Sequence, residues 1–494
     1  MASATPAQIK TAANKWLRAN HYTMLVKPFP KLTPGQTAVN RKTLPPLGPP
    51  PDVSFPKIQR AKLKNGLNVI LLERHTTPIV NVTLAVDAGS SSESFAKAGL
   101  AGLTLDLMDE GTKTRSALKM EEELESLGAR IFTGNGLDMS LVRLQSTAAN
   151  LRPSLAIMAD AVLNPSFPAD RFSTQKERRL AALEQEKASP AGAGQRVMPT
   201  LIYGKDHAYG KPGTGFTQSL ESVTREDMIK WHSDWFVPSN ATIILAGDTT
   251  LAAALPTLDA VFGNWKGGVA PKKALSTVAK TPGKKIYLID KPDAPQSIIM
   301  AAHVSETSGQ PEDLAAEPVF TNFGGMATSR LNRNLRLDKH WSYGTAGLMT
   351  NARGQRMFLV NAPVQTDKTK ESMAEVLKEI KDIAGDRPIK GEEFASIMRN
   401  MTSRLPGRFE DLSSLENAAV TLVNFGLPDD YWSNYAGRMR ALNEAQLDSA
   451  AKKFVRPGEI IWLVVGDLAK IEKGIRELGY GEVIKLNADG EVIQ

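Results

Sequence analysis

The sequence contains no cysteine. Disulfides, thiolate metal sites and a cysteine nucleophile are therefore excluded. A chain without thiols tolerates any redox compartment, so this absence leaves location open. Histidine is scarce too. The six in 494 residues stand at 21, 75, 207, 232, 303 and 340, and no two are four residues apart. A helix holding a catalytic metal through an i, i+4 imidazole pair is thus missing. Long apolar runs are absent: "IIWLVV" (460–465) falls far short of the roughly 20 residues that cross a bilayer, so no membrane span is expected. The opening "MASATPAQIKTAANKWLRAN" has no apolar core of the kind a signal peptide needs. A periplasmic location, reached through a removed signal peptide, is slightly favoured over the cytoplasm. Like charges form no block of five or more, and the net charge of +7 reads as a solvated surface rather than a nucleic-acid footprint.

What remains is an ordinary globular composition, 42% hydrophobic and 23% charged, in a chain too long for one core. Residues 1–52 differ from the rest. "IKTAANKWLRA" has apolar positions at helical spacing, and the Pro-rich stretch after it reads as an extended linker or an arm laid over a surface. From residue 53 strands and helices alternate. "LNVILLERH" and "VNVTLAVDAG" read as strands, and helices are expected near 98–109, 117–127, 150–163 and 170–188. Residues 265–284, rich in Gly, Pro and Lys, read as a linker between a first domain (53–264) and a second (285–494). The second begins again with the strands "KIYLIDKP" and "QSIIMAAHV", then helices near 312–338, 367–384 and 390–404. Its end, "KFVRPGEIIWLVVGD", matches "WFVPSNATIILAGD" at the end of the first, which argues for duplication of a whole domain. The fold class expected is α+β: two homologous α/β-sandwich domains, each an antiparallel-rich sheet with helices on one face.

Two segments carry a resemblance. The first is "GLAGLTLDLMDEGTKTRSAL" (99–118), the second "FGGMATSRLNRNLRLDKHWSYGTAG" (323–347). Together they resemble the pitrilysin/insulinase superfamily of zinc peptidases, whose catalytic helix carries H-x-x-E-H. In that family Gly-Leu-Ala precedes the motif and Gly-Thr with a basic residue follows it. Gly99-Leu100-Ala101 and Gly111-Thr112-Lys113 are present here, but Gly102, Leu105 and Asp106 stand where the two histidines and the glutamate belong. The family's third ligand comes from a downstream helix, and Glu184, with Glu177 seven residues before it, is its counterpart by sequence. Asp106 and Glu184 would offer two oxygen ligands at most, where a catalytic zinc takes three protein ligands and an open position. A metal in this chain is therefore not expected.

The second segment keeps the family's other signature: Gly324-Gly325, Ser329-Arg330-Leu331, Leu335-Arg336 and, seven residues on, Tyr343. The resemblance implies that Arg336 and Tyr343 reach a zinc site in the opposite half of a clamshell, with Gly324, Gly325 and Ser329 beside the substrate. It further implies a heterodimer. A zinc-binding H-x-x-E-H partner would carry the metal, and this chain, without a cofactor of its own, would complete the site for peptide hydrolysis. The alternatives are a structural core-type subunit and a peptide-binding module without a catalytic role.

Three lesser segments complete the reading. "LGARIFTGNGLDMSLVRLQST" (127–147) corresponds to the family's peptide-binding edge strand, interrupted here by Gly134 and Gly136. "KPGTGFTQ" (211–218) lacks the ending of a phosphate loop and is expected to be a loop before a helix capped by Thr224 with Asp227. "SPAGAGQRV" (189–197) is expected to be a hinge or loop.

Overall fold

A computed structural model describes residues 5–18, 21–27, 48, 54–279 and 283–493. Residues 1–49 and 50–494 are two separate compact units. In the first, the helix Pro6–Leu17 opens with a capping box: Thr5 accepts from the Gln8 amide while the Gln8 side chain accepts from Thr5. None of its residues is buried. The Pro-rich arm expected after it lies outside the described residues.

The second unit holds two six-stranded sheets. One is built from β1 (Ile58–Lys62), β2 (Asn68–Glu73), β3 (Ile79–Val86), β4 (Arg130–Asn135), β5 (Ser140–Thr147) and β6 (Ala241–Gly247), in the order β1-β2-β6-β3-β5-β4. The other is built from β7 (Lys285–Asp290), β8 (Gln296–Thr307), β9 (Ala346–Met349), β10 (Gln355–Gln365), β11 (Ile461–Gly466) and β12 (Glu482–Leu486), in the order β12-β7-β11-β8-β10-β9. Five strands of each correspond in order and direction. β6 lies parallel to β2 and antiparallel to β3, as β11 lies parallel to β7 and antiparallel to β8. The sixth differs: β1 opens the first sheet antiparallel, and β12 closes the second in parallel.

Alternation along the strands sorts two apolar faces. Val69, Leu71, Val82, Leu84, Ile243 and Leu245 face the helices of their own half, among them Leu100–Asp106 and Leu151–Leu163. The opposite face carries Ile70, Leu72, Ala85, Ile244 and Ala246, and the helix Leu412–Phe425 of the second half covers it with Leu415, Ala418, Ala419 and Leu422. The exchange is mutual. On the second sheet, Ile298, Met300, Leu463 and Val465 are covered by Ala193, Val197, Met198 and Ile202 of the helix Pro190–Tyr203.

That helix corrects the hinge or loop expected at 189–197. Ser189 caps it by accepting from the Gly192 amide, and Pro190 occupies its first position. Its small residues serve close packing: a side chain at Gly194 would come within 2.8 Å of the Met300 sulfur. The helix at 225–235 is capped as expected, with Thr224 accepting from the Asp227 amide. No helix among the described residues is long and apolar enough to cross a membrane.

Candidate active site

The helix Leu100–Asp106 begins at Gly99, whose φ of 94° lies in the left-handed region that glycine favours. The buried Glu93 carboxyl group accepts from the amides of Gly99 and Ala101 at the helix N-terminus. Burial nevertheless pushes Glu93 up to about 7, opposed by those two amides and by Lys211 and Arg179 nearby. The Lys211 ammonium, donating to the Ala208 carbonyl, is itself lowered by burial.

A cavity of about 610 Å³ opens beside this helix. Gly102, Leu105 and Asp106 line it, as do Thr133–Leu137 of β4 and the turn after it, and Thr350 and Met357 of the second half. β4 ends its sheet, pairing only with β5, and its residues alternate between exposed and half-buried. Its outer backbone edge is free to accept another strand beside the cavity.

Arg179, from the helix Ala169–Ala188, reaches across Gly102 and Asp106. Its Nε and Nη2 donate to Asp106 Oδ2 at 2.8 and 2.6 Å, and a Cβ at Gly102 would lie 3.1 Å from its Nη2. Gly102 and Asp106 are one helical turn apart, so the guanidinium sits across the two positions where the zinc family carries histidine. Leu105 is buried and has no proton to exchange. These residues do not fit a zinc ion, since the two carboxylates lining the cavity, Asp106 and Glu186, are each already held by an arginine, Arg179 and Arg196. Among the described residues no three His, Asp or Glu side chains gather into a set that could bind a metal.

The downstream helix turns other residues to the cavity than the two the resemblance selects. Glu177 and Glu184 face solvent, and Glu184 approaches Lys187 at 3.3 Å. The residues turned to the cavity are Arg179 and Glu186, also seven apart. Glu186 in turn receives Nη1 of the buried Arg196 at 3.0 Å. In a solvated helix with charge all round, sequence spacing alone does not select this face.

The second-half signature is built differently. Gly324 is needed where its helix, Asp313–Gly324, meets β9: a Cβ there would lie 2.0 Å from the Gly347 amide nitrogen. Ser329 is fully buried. Both therefore correct the expectation of substrate contact, and of the three only Gly325 is exposed. Arg330 is buried and grips Glu393 with two prongs, at 2.7 and 2.6 Å. Asn332 was not foreseen. Its amide donates to the carbonyls of Met326 and Thr345, and its Oδ1 accepts from the Thr345 amide at 2.8 Å. Ser342 Oγ donates to the Pro363 carbonyl and accepts from the Gly344 amide. Tyr343 is pinned on both sides by its neighbours, yet it is 91% exposed. Arg336 lies in a π-helical turn, Arg333–Asp338, anchored by the buried Leu331 and Leu335. Its guanidinium is exposed, and its carbonyl is engaged by His340 Nδ1 at 3.1 Å. Neither Arg336 nor Tyr343 lines the cavity of the first half.

Residues 68–202 match the family described as insulinase, peptidase family M16, and residues 222–401 match its companion, the peptidase M16 inactive domain. The chain belongs to the insulinase family, M16. Among relatives of this M16 chain, an uncharacterized zinc protease of Rickettsia bellii is 23% identical over 345 residues, covering 70% of this chain and 82% of the relative. Two solved structures share the fold. One is a peptidase M16 inactive domain from Pseudomonas fluorescens (TM-score 0.78, 22% identity, 83% of this chain and 97% of the other). The second is a protease from Helicobacter pylori (TM-score 0.76, 18% identity, 84% and 100%).

Proposed function

We propose that this chain is the non-zinc-binding half of a pitrilysin-like zinc peptidase. It completes the active site of a zinc-bearing H-x-x-E-H partner and supplies Arg336 and Tyr343 for the hydrolysis of peptides. The observation that carries this reading is Tyr343, a large aromatic held out in solvent on a backbone fixed by Asn332 and Ser342. Ordering a loop in order to expose a ring makes sense where the phenol has a partner to meet.

The chemistry follows from the groups. Attack on a peptide carbonyl gathers negative charge on its oxygen, and the Tyr343 O–H can donate to that oxygen as charge develops. The Arg336 guanidinium, without an ion pair among the described residues, can hold a substrate carbonyl or carboxylate before and during the reaction. The open edge of β4 supports an extended peptide as the class of substrate. Zinc is expected in the partner, because Arg179 and Asp106 close the equivalent position here.

Steady-state kinetics on the reconstituted pair test this. Tyr343→Phe is expected to lower kcat by roughly 10²-fold with little change in KM, because the hydroxyl acts on charge that appears only in the transition state. Arg336→Ala is expected to raise KM as well. Gel filtration should show both pairs intact. Wild-type rates in both variants with the pair intact would make this chain a structural core-type subunit.

A further inference from the structure

Three segments of the chain align without a gap: "TPAQIKTAANKWLRANHYTMLVKP" (5–28), "TREDMIKWHSDWFVPSNATIILAG" (224–247) and "NEAQLDSAAKKFVRPGEIIWLVVG" (443–466). The structure sets the register. Each opens on a capping box, Thr5 with Gln8, Thr224 with Asp227 and Asn443 with Gln446. Each places an aromatic residue eleven positions after the cap: Trp16, Trp235 and Phe454. The first and third segments are identical at eight of 24 positions.

In the second and third segments the helix buries one face and the strand after it becomes the third strand of a sheet. Leu447, Ala450, Ala451 and Phe454 are buried, and β11 then runs between β7 and β8. Met228, Trp231 and Trp235 are buried, and β6 then runs between β2 and β3. In the first segment the matching face is Ile9, Ala12, Ala13 and Trp16, and the matching strand is "YTMLVK" (22–27). Here no residue of the helix is buried. Residues 21–27 form no strand, and exposure of the large apolar side chains runs from 61% at Ile9 to 89% at Tyr22. The charges match as well. Lys15 and Arg18 align with Lys453 and Arg456, which pair within their own half with Glu312 at 2.6 Å and with Glu306 at 3.0 Å.

We infer that residues 5–27 are the closing helix and central strand of a third lobe of the same fold, and that the rest of this lobe is encoded immediately upstream in the same polypeptide. Tyr22–Lys27 enters that lobe's sheet between its counterparts of β2 and β3, and the Ile9–Trp16 face packs against the sheet. The inference rests on the repeat and on exposure, and it holds whether or not Arg336 and Tyr343 serve a zinc site.

A rival occupant is an anionic lipid surface. Seven of the 60 Lys and Arg residues and none of the 53 Asp and Glu precede Asp52, so the entire net charge lies in residues 1–51, four of the seven within residues 5–27. The three-fold register favours the lobe, because a lipid surface has no use for a strand of two apolar faces in step with β6 and β11.

The test begins with the DNA upstream of the first codon. An open frame encoding a lobe that lacks its own closing helix and strand is expected. Amide hydrogen exchange at residues 22–27 is then compared in the 494-residue chain and in the extended polypeptide. Slowing of roughly 10²-fold or more in the longer form is expected. Leu25→Asp should lower the melting temperature of the longer form and leave that of the 494-residue chain unchanged. A closed or unrelated upstream frame, or equally fast exchange in both, overturns the inference. Sedimentation of the longer form with vesicles of equal parts phosphatidylglycerol and phosphatidylcholine, lost on Leu25→Asp, would assign the segment to the lipid surface instead.

Discussion

The helix Leu100–Asp106 and the segment 324–346 lie in corresponding connections, from β3 to β4 and from β8 to β9, and they treat their polar groups in opposite ways. In the first half the charges are closed on one another: Arg179 on Asp106, Arg196 on Glu186, and Glu93 on the helix N-terminus. In the second half the supporting groups are satisfied and the outermost two are free. Asn332, Ser342 and Arg330 spend their hydrogen bonds on the backbone and on Glu393, while Arg336 and Tyr343 stand in solvent. The contrast teaches that related halves can spend their charges differently. A guanidinium ties the helix Leu100–Asp106 to its neighbour in the first half, and the second half fixes a backbone whose outermost side chains face solvent.

The contrast breaks most severely at Asn332. Asn332→Ala strands the Thr345 amide and two carbonyls in a buried place, at roughly 1–3 kcal/mol for each. A loss of about 4 kcal/mol in urea unfolding is expected, together with lower kcat in the reconstituted pair. Asn332→Asp restores the acceptor for the Thr345 amide but not the donors, and should fall between. Equal kcat for Asn332→Ala and wild type would show that Tyr343 needs no fixed backbone.

A second test concerns the exchanged helix Leu412–Phe425. Its Glu416 lies against the first sheet, where Thr83 donates to it and Arg143 approaches at 3.6 Å. Burial pushes this carboxyl up to about 7, opposed by Arg143 and Asn81. Its folded value is above the ordinary 4.5, so its contribution to stability is full below 4.5 and is lost as pH rises through 7. Glu416→Gln removes this dependence. The wild type should lose on the order of 3 kcal/mol more than the variant between pH 4.5 and 8. Parallel unfolding profiles for the two would show that Glu416 is not held neutral between the halves.

The smallest effect is expected at the closed pair itself. Arg179→Met leaves Asp106 without its cation, but both side chains are about a third exposed or less. Water and salt then compensate, and a loss of about 1 kcal/mol is expected at low salt, less in 1 M salt. A loss that does not depend on salt would show that Arg179 serves by packing instead of charge.

Much of the architecture could be read from the sequence. Alternation in "VNVTLAVDAG" and "QSIIMAAHV" marked β3 and β8, and the paired endings at 248 and 467 marked the matching β6 and β11. The spacing of Gly324, Arg330, Arg336 and Tyr343 pointed to the second-half segment. What escaped had physical reasons. Pro190–Tyr203 looks like a loop because its small residues serve contact with a distant sheet, a non-local demand. The exchange of helices is invisible for the same reason, since amphipathic periodicity shows that a face is buried but not against what. The inward edge of Ala169–Ala188, Arg179 and Glu186, gives no signal in sequence because charge surrounds that helix. Asn332 carried no signal, as a lone Asn is common wherever chains turn.

Metal content of the purified 494-residue chain, after incubation with zinc and dialysis, tests the central claim most directly. The account predicts far less than one zinc per chain for the wild type and no peptide hydrolysis by the chain alone, because Arg179 holds Asp106 and Arg196 holds Glu186 beside it. One tightly held zinc per chain, accompanied by proteolysis from the pure protein, would contradict it.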